Sequence, residues 1–155
     1  MVANIASLEL VEICRMQPED LDEVFQIELK AYPYPWTRGV FTDCLKSGFP
    51  AWVMQQDGVI CGYSLMSLAA GESHLLNLCI DPDCQGAGLG AYFLDWLLLE
   101  VAKQGAQVVF LEVRPSNFTA ISLYEQRGFN QIGLRPGYYR TGPKREDALV
   151  MALQL

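Results

Sequence analysis

Three closely spaced glycines are the first feature of this sequence that could bind a ligand. Gly86, Gly88 and Gly90 follow Asp81-Pro82 and lie between an apolar segment and a long amphipathic one. Without side chains at these positions, backbone N–H groups at the start of a helix can approach an anion closely, and the helix dipole favours its negative charge. The expected ligand is therefore a phosphate or a pyrophosphate.

The glycines alone leave other interpretations open. No Lys-Ser/Thr pair ends the loop, which excludes a Walker-type nucleotide-binding loop. The G-x-G-x-G spacing also differs from the G-x-G-x-x-G of dinucleotide-binding proteins, and it follows at least three predicted strands instead of beginning a parallel sheet. A glycine-rich loop that merely turns the chain remains the alternative.

A carboxylate and a tyrosine are candidates for proton transfer. Glu112 interrupts a short apolar strand, where an ionised side chain is costly unless it has a role, so it is a candidate general base. The alternative is a glutamate that strand alternation places on a solvated sheet edge. Asn117, Ile121 and Tyr124 have the spacing of one helical face, so Asn117 could contact a cofactor and Tyr124 could donate a proton. Otherwise Asn117 is an N-cap and Tyr124 a half-buried packing aromatic.

His74 suggests a third kind of chemistry. It precedes Cys79 by five residues in a predicted strand, which permits a Cys–His acyl-enzyme. No third residue is apparent that would orient such a pair, so a surface histidine beside a buried cysteine is the preferred interpretation.

Periodicity and turn signals predict the elements that position these residues. A helix begins at Pro18 and ends before Pro33, Thr37 caps a second helix through Lys46, and Asp57-Gly58 forms a hairpin turn. Further helices are predicted at 89–104 and 118–126, and strands at 8–16, 51–56, 59–70, 72–80, 107–113, 130–134 and 148–153. This order predicts an α/β fold with a mixed central sheet of about seven strands and helices on both faces.

Composition limits the classes of protein that are possible. The 155 residues, 51% hydrophobic and 19% charged, predict a single globular domain at 1–155. No apolar run approaches the ~20 residues of a membrane span, and no signal peptide is expected, so we expect a cytoplasmic protein that does not bind membranes. The five cysteines form no C-x-x-C pair, which indicates neither a zinc site nor a redox pair, and no metal is expected.

The net charge of −7 argues against direct nucleic-acid binding and is compatible with a basic partner. Acidic residues cluster between Glu9 and Glu28. This clustering is typical of a solvated helix face, and electrostatic steering of a cationic peptide is the alternative. The sequence is compatible with a monomer.

The segment Gln85-Gly86-Ala87-Gly88-Leu89-Gly90, after an apolar strand and Asp81-Pro82, resembles the Q/R-x-x-G-x-G/A acetyl-CoA signature of the GNAT superfamily. The resemblance implies the GNAT fold, with loop amides that hold the pyrophosphate and a preceding strand that splays to admit the pantetheine arm. The implied cofactor-binding residues are Leu78, Cys79, Ile80, Gln85, Gly86, Ala87, Gly88, Leu89, Gly90, Ala91 and Asn117. Related loops usually carry basic residues where Gly86 and Ala91 stand, so we expect the backbone to do more here and cofactor affinity to be modest.

Further motifs resemble the RimI group, the ribosomal-protein N-terminal alanine acetyltransferases of this superfamily. They extend over nearly the whole chain: Tyr34-Pro35-Trp36, Leu111-Glu112-Val113-Arg114, Ser116-Asn117, the segment from Ala120 to Glu125, Gly128-Phe129, Tyr138-Tyr139 and the segment from Arg145 to Ala148. The resemblance implies that Glu112 is the catalytic base and Tyr124 the acid, in direct transfer without an acyl-enzyme. It also implies that Tyr138 and Tyr139 border the peptide site; both can equally be ordinary strand aromatics. Trp36 could line the acceptor groove or anchor a helix.

The implied reaction transfers acetyl from acetyl-CoA, as co-substrate, to the N-terminal alanine of small-subunit ribosomal protein eighteen, a basic partner. An α-amine has a pKa near 7.7–8.0 and lysine near 10.4, a difference worth roughly 3.5 kcal/mol, so one carboxylate suffices as base. A small amine, another protein N-terminus or a lysine is the alternative acceptor. A non-catalytic acyl-CoA-binding module is the alternative outside enzymes.

Overall fold

The computed structural model describes residues 10–155. The predicted start of the first strand at Leu8 lies outside them. The strands are β1 (Val11–Arg15), β2 (Ala51–Gln56), β3 (Val59–Ala69), β4 (Glu72–Ile80), β5 (Val108–Val113), β6 (Asn130–Thr141) and β7 (Lys144–Gln154). The α-helices are α1 (Leu21–Ala31), α2 (Arg38–Lys46), α3 (Leu89–Lys103) and α4 (Phe118–Gln126), and short 3-10 turns cover Pro18–Asp20 and Pro82–Cys84.

The seven strands form one mixed sheet in the order β1-β2-β3-β4-β5-β7-β6. β4 and β5 pair in parallel, whereas β1 with β2, β2 with β3, β5 with β7 and β6 with β7 are antiparallel. The prediction of a mixed α/β fold with about seven strands is confirmed. None of the helices within residues 10–155 is long and apolar enough to cross a membrane.

The described chain groups into two compact units. The first contains residues up to Ser67 together with Asn77–Leu97, and the second contains Leu68–Leu76 with Leu98–Leu155. A single domain at 1–155 stays a prediction.

In the first unit, local signals act as predicted. The Thr37 side chain accepts a hydrogen bond from the backbone N–H of Val40 and so caps α2. Asp57 and Gly58 have φ of 53° and 77°, which is the left-handed backbone of the tight turn between β2 and β3. Phe41 and Tyr63 lie fully buried with their rings edge to face.

In the second unit, β5 alternates strictly. Val109, Leu111 and Val113 are buried on one face, and Glu112 lies on the other. Asn117 caps α4, and the helix is followed by Gly128 at φ 93°, a conformation that glycine adopts at low cost.

The predicted strands at 130–134 and 148–153 were too short. β6 and β7 form a hairpin that reaches Thr141 and Lys144, with a register shift between Arg135 and Tyr139. Pro136-Gly137 suggests a strand break, but a proline is tolerated in an edge strand at a bulge. Gly137 has φ 60°, and its N–H donates to Asp147 Oδ1 at 2.8 Å, which fixes the bulge.

Candidate active site

The glycine-rich turn lies at the start of α3, as predicted. Gly86 and Gly88 have φ of 87° and 76°, and nothing lies within 4 Å of where a Cβ of Gly86 would be. The carbonyl of Gly88 accepts the N–H of Tyr92, so α3 begins directly after it. The first N–H groups of a helix have no partner inside the helix. The turn therefore offers open backbone donors and space for an anion.

Side chains beside the turn stabilise it and balance its charge. Gln85 donates from Nε2 to the carbonyl of Ile80 at 3.1 Å, which ties the turn back to the end of β4. Lys30 Nζ lies 2.7 Å from Asp81 and 2.8 Å from Asp83. Partial burial opposes the ionisation of Asp81, but the hydrogen bond and charge of Lys30 and the backbone N–H of Asp83 together outweigh it, and the pKa of Asp81 is lowered. Lys30 thus compensates two carboxylates that would otherwise repel an anionic ligand.

Leu78, Cys79 and Ile80, the predicted cofactor-facing backbone, lie at the end of β4. The Tyr32 hydroxyl donates to the carbonyl of Leu78 at 3.4 Å, and Cys79 and Ile80 are buried. Burial raises the pKa of the Cys79 thiol to about 11. A protonated, buried thiol is a poor nucleophile, so the geometry does not favour an acyl-enzyme at Cys79.

A buried carboxylate in α1 was missed by the sequence analysis, which interpreted it as part of a solvated acidic face. Glu28 is only 2% exposed. It accepts hydrogen bonds from the Tyr63 hydroxyl at 2.5 Å, from Asn77 Nδ2 at 3.0 Å and from the Trp36 backbone N–H at 2.9 Å. Its helical spacing from the buried Val24 was a signal for the apolar face of α1.

Trp36 is anchored by two contacts. Glu28 holds its backbone, and its ring packs on Phe41 with centroids 5.2 Å apart. These contacts fit an anchor for α2, and a contact with the acceptor stays a proposal.

Glu112 is not on a solvated sheet edge. β5 is an interior strand, and the Glu112 side chain is only 7% exposed. Its Oε2 pairs with Nε2 of His74, and its Oε1 lies 3.2 Å from Nε of Arg135. These partners offset the cost of placing a carboxylate in a nearly buried position, and a carboxylate can accept a proton. His74 therefore orients Glu112, a role that the sequence analysis did not assign to it.

Tyr124 lies buried in α4, where its ring packs on Phe129 with centroids 5.6 Å apart. Burial raises the pKa of Tyr124 to about 12, so the phenol remains protonated at neutral pH. None of residues 10–155 hydrogen-bonds to its hydroxyl, which leaves this donor available to a ligand. Asn117 Oδ1 accepts the N–H of Ala120 at 3.2 Å, so its N-cap role is established.

Tyr138 and Tyr139 lie next to the candidate base. Their rings are perpendicular, with centroids 4.8 Å apart. Burial raises the pKa of both phenols, and the nearby Glu112 carboxylate adds to both shifts. Tyr124 also contributes to the raised pKa of Tyr139. The second unit therefore contains the candidate base, the candidate acid and both tyrosines, and the charges of Glu112 and Tyr124 both act on Tyr139.

Arg114 holds this aromatic pair in place. Its guanidinium lies 4.4 Å from the centre of the Tyr139 ring and donates to the carbonyl of Arg140 at 2.9 Å and to Glu146 at 3.2 Å. Glu146 also accepts the Ser116 N–H at 3.0 Å, which ties the loop before α4 to the hairpin. Ser116, and then Arg114, hold the pKa of Glu146 below its usual value. In the sequence, these residues stand out only as matches to a motif.

The chain is similar to known proteins over most of its length. The model of the acetyltransferase (GNAT) family matches residues 21–129. The [ribosomal protein bS18]-alanine N-acetyltransferase of Escherichia coli (strain K12) is 36% identical over 143 residues, which cover 92% of this chain and 97% of that protein. The protein of the same name from Haemophilus influenzae is 32% identical over 144 residues, which cover 92% and 98%.

A solved structure supports the same assignment. The crystal structure of the ribosomal-protein-S18-alanine N-acetyltransferase from Escherichia coli superimposes with a TM-score of 0.88 at 35% identity and covers 93% of each chain. The family match over most of the chain, the full-length relatives and the shared fold lead to one conclusion: this chain belongs to the GNAT family and is an N-acetyltransferase.

Proposed function

We propose that this enzyme transfers the acetyl group of acetyl-CoA to the α-amine of a protein N-terminus, and that the N-terminal alanine of ribosomal protein bS18 is the acceptor. The relatives from Escherichia coli and Haemophilus influenzae carry the name of this reaction and match over nearly their full length. The observation that carries the proposal is Glu112, a carboxylate 7% exposed and beside two tyrosines in the second unit.

The glycine-rich turn fits the pyrophosphate of acetyl-CoA. Gly86 and Gly88 adopt positive φ, Gly86 leaves open space, and the first amides of α3 are available. Because Gly86 and Ala91 provide no cationic side chain, these backbone groups carry the binding. Acetyl-CoA supplies an activated thioester carbonyl, and Asn117 near the start of α4 would contact this co-substrate.

Glu112 would prepare the acceptor. Its carboxylate takes a proton from the ammonium, and the neutral nitrogen then attacks the thioester carbonyl carbon. As the C–N bond forms, the C–S bond breaks and the sulfur leaves with the bonding electron pair. The nitrogen gives up its second proton as the amide forms, and this balances the proton that the sulfur takes up to become the CoA thiol. Tyr124 would donate its proton or a hydrogen bond to that sulfur, since burial keeps the phenol protonated. Tyr138, Tyr139 and Trp36 would border the peptide.

The test is thiol release from acetyl-CoA with a basic hexapeptide that begins with alanine, beside the same peptide blocked at its N-terminus. Release only with the free N-terminus is the expected result. Release with both peptides would indicate a lysine or another amine as acceptor. No release with either, despite acetyl-CoA binding, would contradict N-terminal acetylation.

A further inference from the structure

The two oxygens of Glu112 have different kinds of partner. Oε2 pairs with His74, which lies on the neighbouring parallel strand β4, and the His74 side chain is 29% exposed. Oε1 pairs with Arg135 of β6, whose side chain is 56% exposed. One oxygen is thus held from within the sheet, and the other is held by a side chain that extends from solvent.

The contact between Arg135 and Glu112 is of a kind that another cation can replace. A single nitrogen, Nε, approaches a single oxygen at 3.2 Å, whereas strong arginine–carboxylate pairs use two parallel hydrogen bonds. Ion pairs with an exposed partner contribute little because water screens them. The pair nevertheless compensates a nearly buried carboxylate, which would otherwise be costly in the free enzyme.

The groups around the Arg135 guanidinium can bind other cations as well. Arg135 also lies 5.7 Å from the centre of the Tyr138 ring, and Tyr139 packs against that ring. A carboxylate oxygen next to an aromatic face is an arrangement that binds ammonium as well as guanidinium. The position is therefore suited to bind the acceptor in its protonated, ammonium form.

We propose that Arg135 occupies the subsite of the acceptor ammonium on Glu112 Oε1 and is displaced when the substrate binds. The inference rests on the proposed function, since it requires that Glu112 receives the acceptor amine. Arg135 is then a positioning residue that pairs with the base in the free enzyme and competes with the substrate. Removal of the Arg135 side chain should tighten binding of a peptide with a free N-terminus and should not change binding of a blocked peptide.

The experiment compares the Kd of the free-amine and N-terminally blocked hexapeptides by calorimetry near pH 7, with CoA bound so that no turnover occurs. Arg135→Gln is expected to tighten binding of the free-amine peptide by about two- to fivefold, the range of a partly exposed ion pair, and to leave the blocked peptide unchanged. Arg135→Lys, which keeps a cation at this position, is expected to retain the wild-type ratio of the two Kd values.

Arg140→Gln is the matched control. It removes the same charge from the same strand, and within residues 10–155 Arg140 forms no ion pair with Glu112. If general electrostatics controlled binding, both variants would tighten both peptides equally. That result, or an unchanged or weaker affinity of Arg135→Gln for the free-amine peptide, would overturn the inference.

A double variant separates this inference from the proposed function. In the Glu112→Gln background, the Arg135→Gln change is expected to have no effect on peptide affinity. The carboxylate for which Arg135 and the substrate ammonium compete is then absent. Full turnover by Glu112→Gln would contradict the proposed base itself. The ratio of the Kd values of the two peptides in Arg135→Gln tests only the role of Arg135, whether or not it changes.

Discussion

Glu112 Oε2 and His74 Nε2 form a hydrogen bond between the neighbouring parallel strands β5 and β4. The register pairs His74 with Phe110 and Leu75 with Leu111, so the pair is set by the sheet and not by a flexible loop. The carboxylate accepts and the imidazole donates, which fixes the side-chain orientation of Glu112. The candidate base is thus held before any substrate arrives.

Glu112→Gln is expected to lower kcat by about 10²–10⁴, the usual contribution of a general base, because the amide cannot accept the ammonium proton. Steady-state kinetics with the free-amine hexapeptide measures the loss. Acetyl-CoA affinity, measured by calorimetry, should stay at the wild-type value. Unchanged kcat would show that another group is the base.

His74→Ala is expected to lower kcat about tenfold and to leave the KM for acetyl-CoA unchanged, because Glu112 loses the donor that orients it. His74→Gln should recover part of kcat, since its Nε2 can take the position of the imidazole Nε2. Equal kcat for the two variants would indicate that the hydrogen bond does not matter to turnover.

Tyr124→Phe removes only the hydroxyl group. Within residues 10–155, no residue forms a hydrogen bond with this hydroxyl. We expect kcat to fall by at least about tenfold, because the leaving sulfur loses its donor. The thermal midpoint should change little, since the packing on Phe129 is retained. A large fall in thermal stability together with full kcat would assign Tyr124 to packing alone.

Tyr124 also makes a pH-dependent contribution to stability. Burial raises its pKa from near 10 to about 12, so the unfolded state loses this proton first as pH rises. The free energy of unfolding is unaffected by this group below about pH 10, and it falls by up to about 3 kcal/mol as pH rises from about 10 to about 12. Urea unfolding at about pH 9 and about pH 11.5 should show a smaller decline for Tyr124→Phe than for the wild type. Equal declines would contradict this assignment.

Gly88→Ala is expected to raise the Kd of acetyl-CoA at least about tenfold. Its φ of 76° is unfavourable for alanine by about 1–2 kcal/mol, and a rearranged turn no longer presents its amides. Gly90→Ala is the control, because φ is not positive there and a Cβ would meet only Ile80 at an ordinary 3.8 Å. Similar Kd values for both variants would mean that the turn does not hold the pyrophosphate.

Most of the element order follows from local signals. Thr37, Asp57-Gly58 and the run from Leu89 act through contacts within a few residues, so their caps, turns and helix starts could be predicted. The β6–β7 hairpin could not, because whether Pro136 ends a strand depends on its position at a sheet edge and on the Asp147 contact of Gly137.

The sequence by itself determined the fold class and the glycine-rich turn, because these depend on residue type and short-range spacing, and its resemblance to a family selected Glu112 and Tyr124 as candidates. Tertiary structure decided what surrounds them. It paired Glu112 with His74 and Arg135, residues 38 and 23 positions away, and it buried Glu28 under Tyr63 and Asn77. Such contacts depend on strand register and packing, which join distant parts of the chain and leave no local pattern in the sequence.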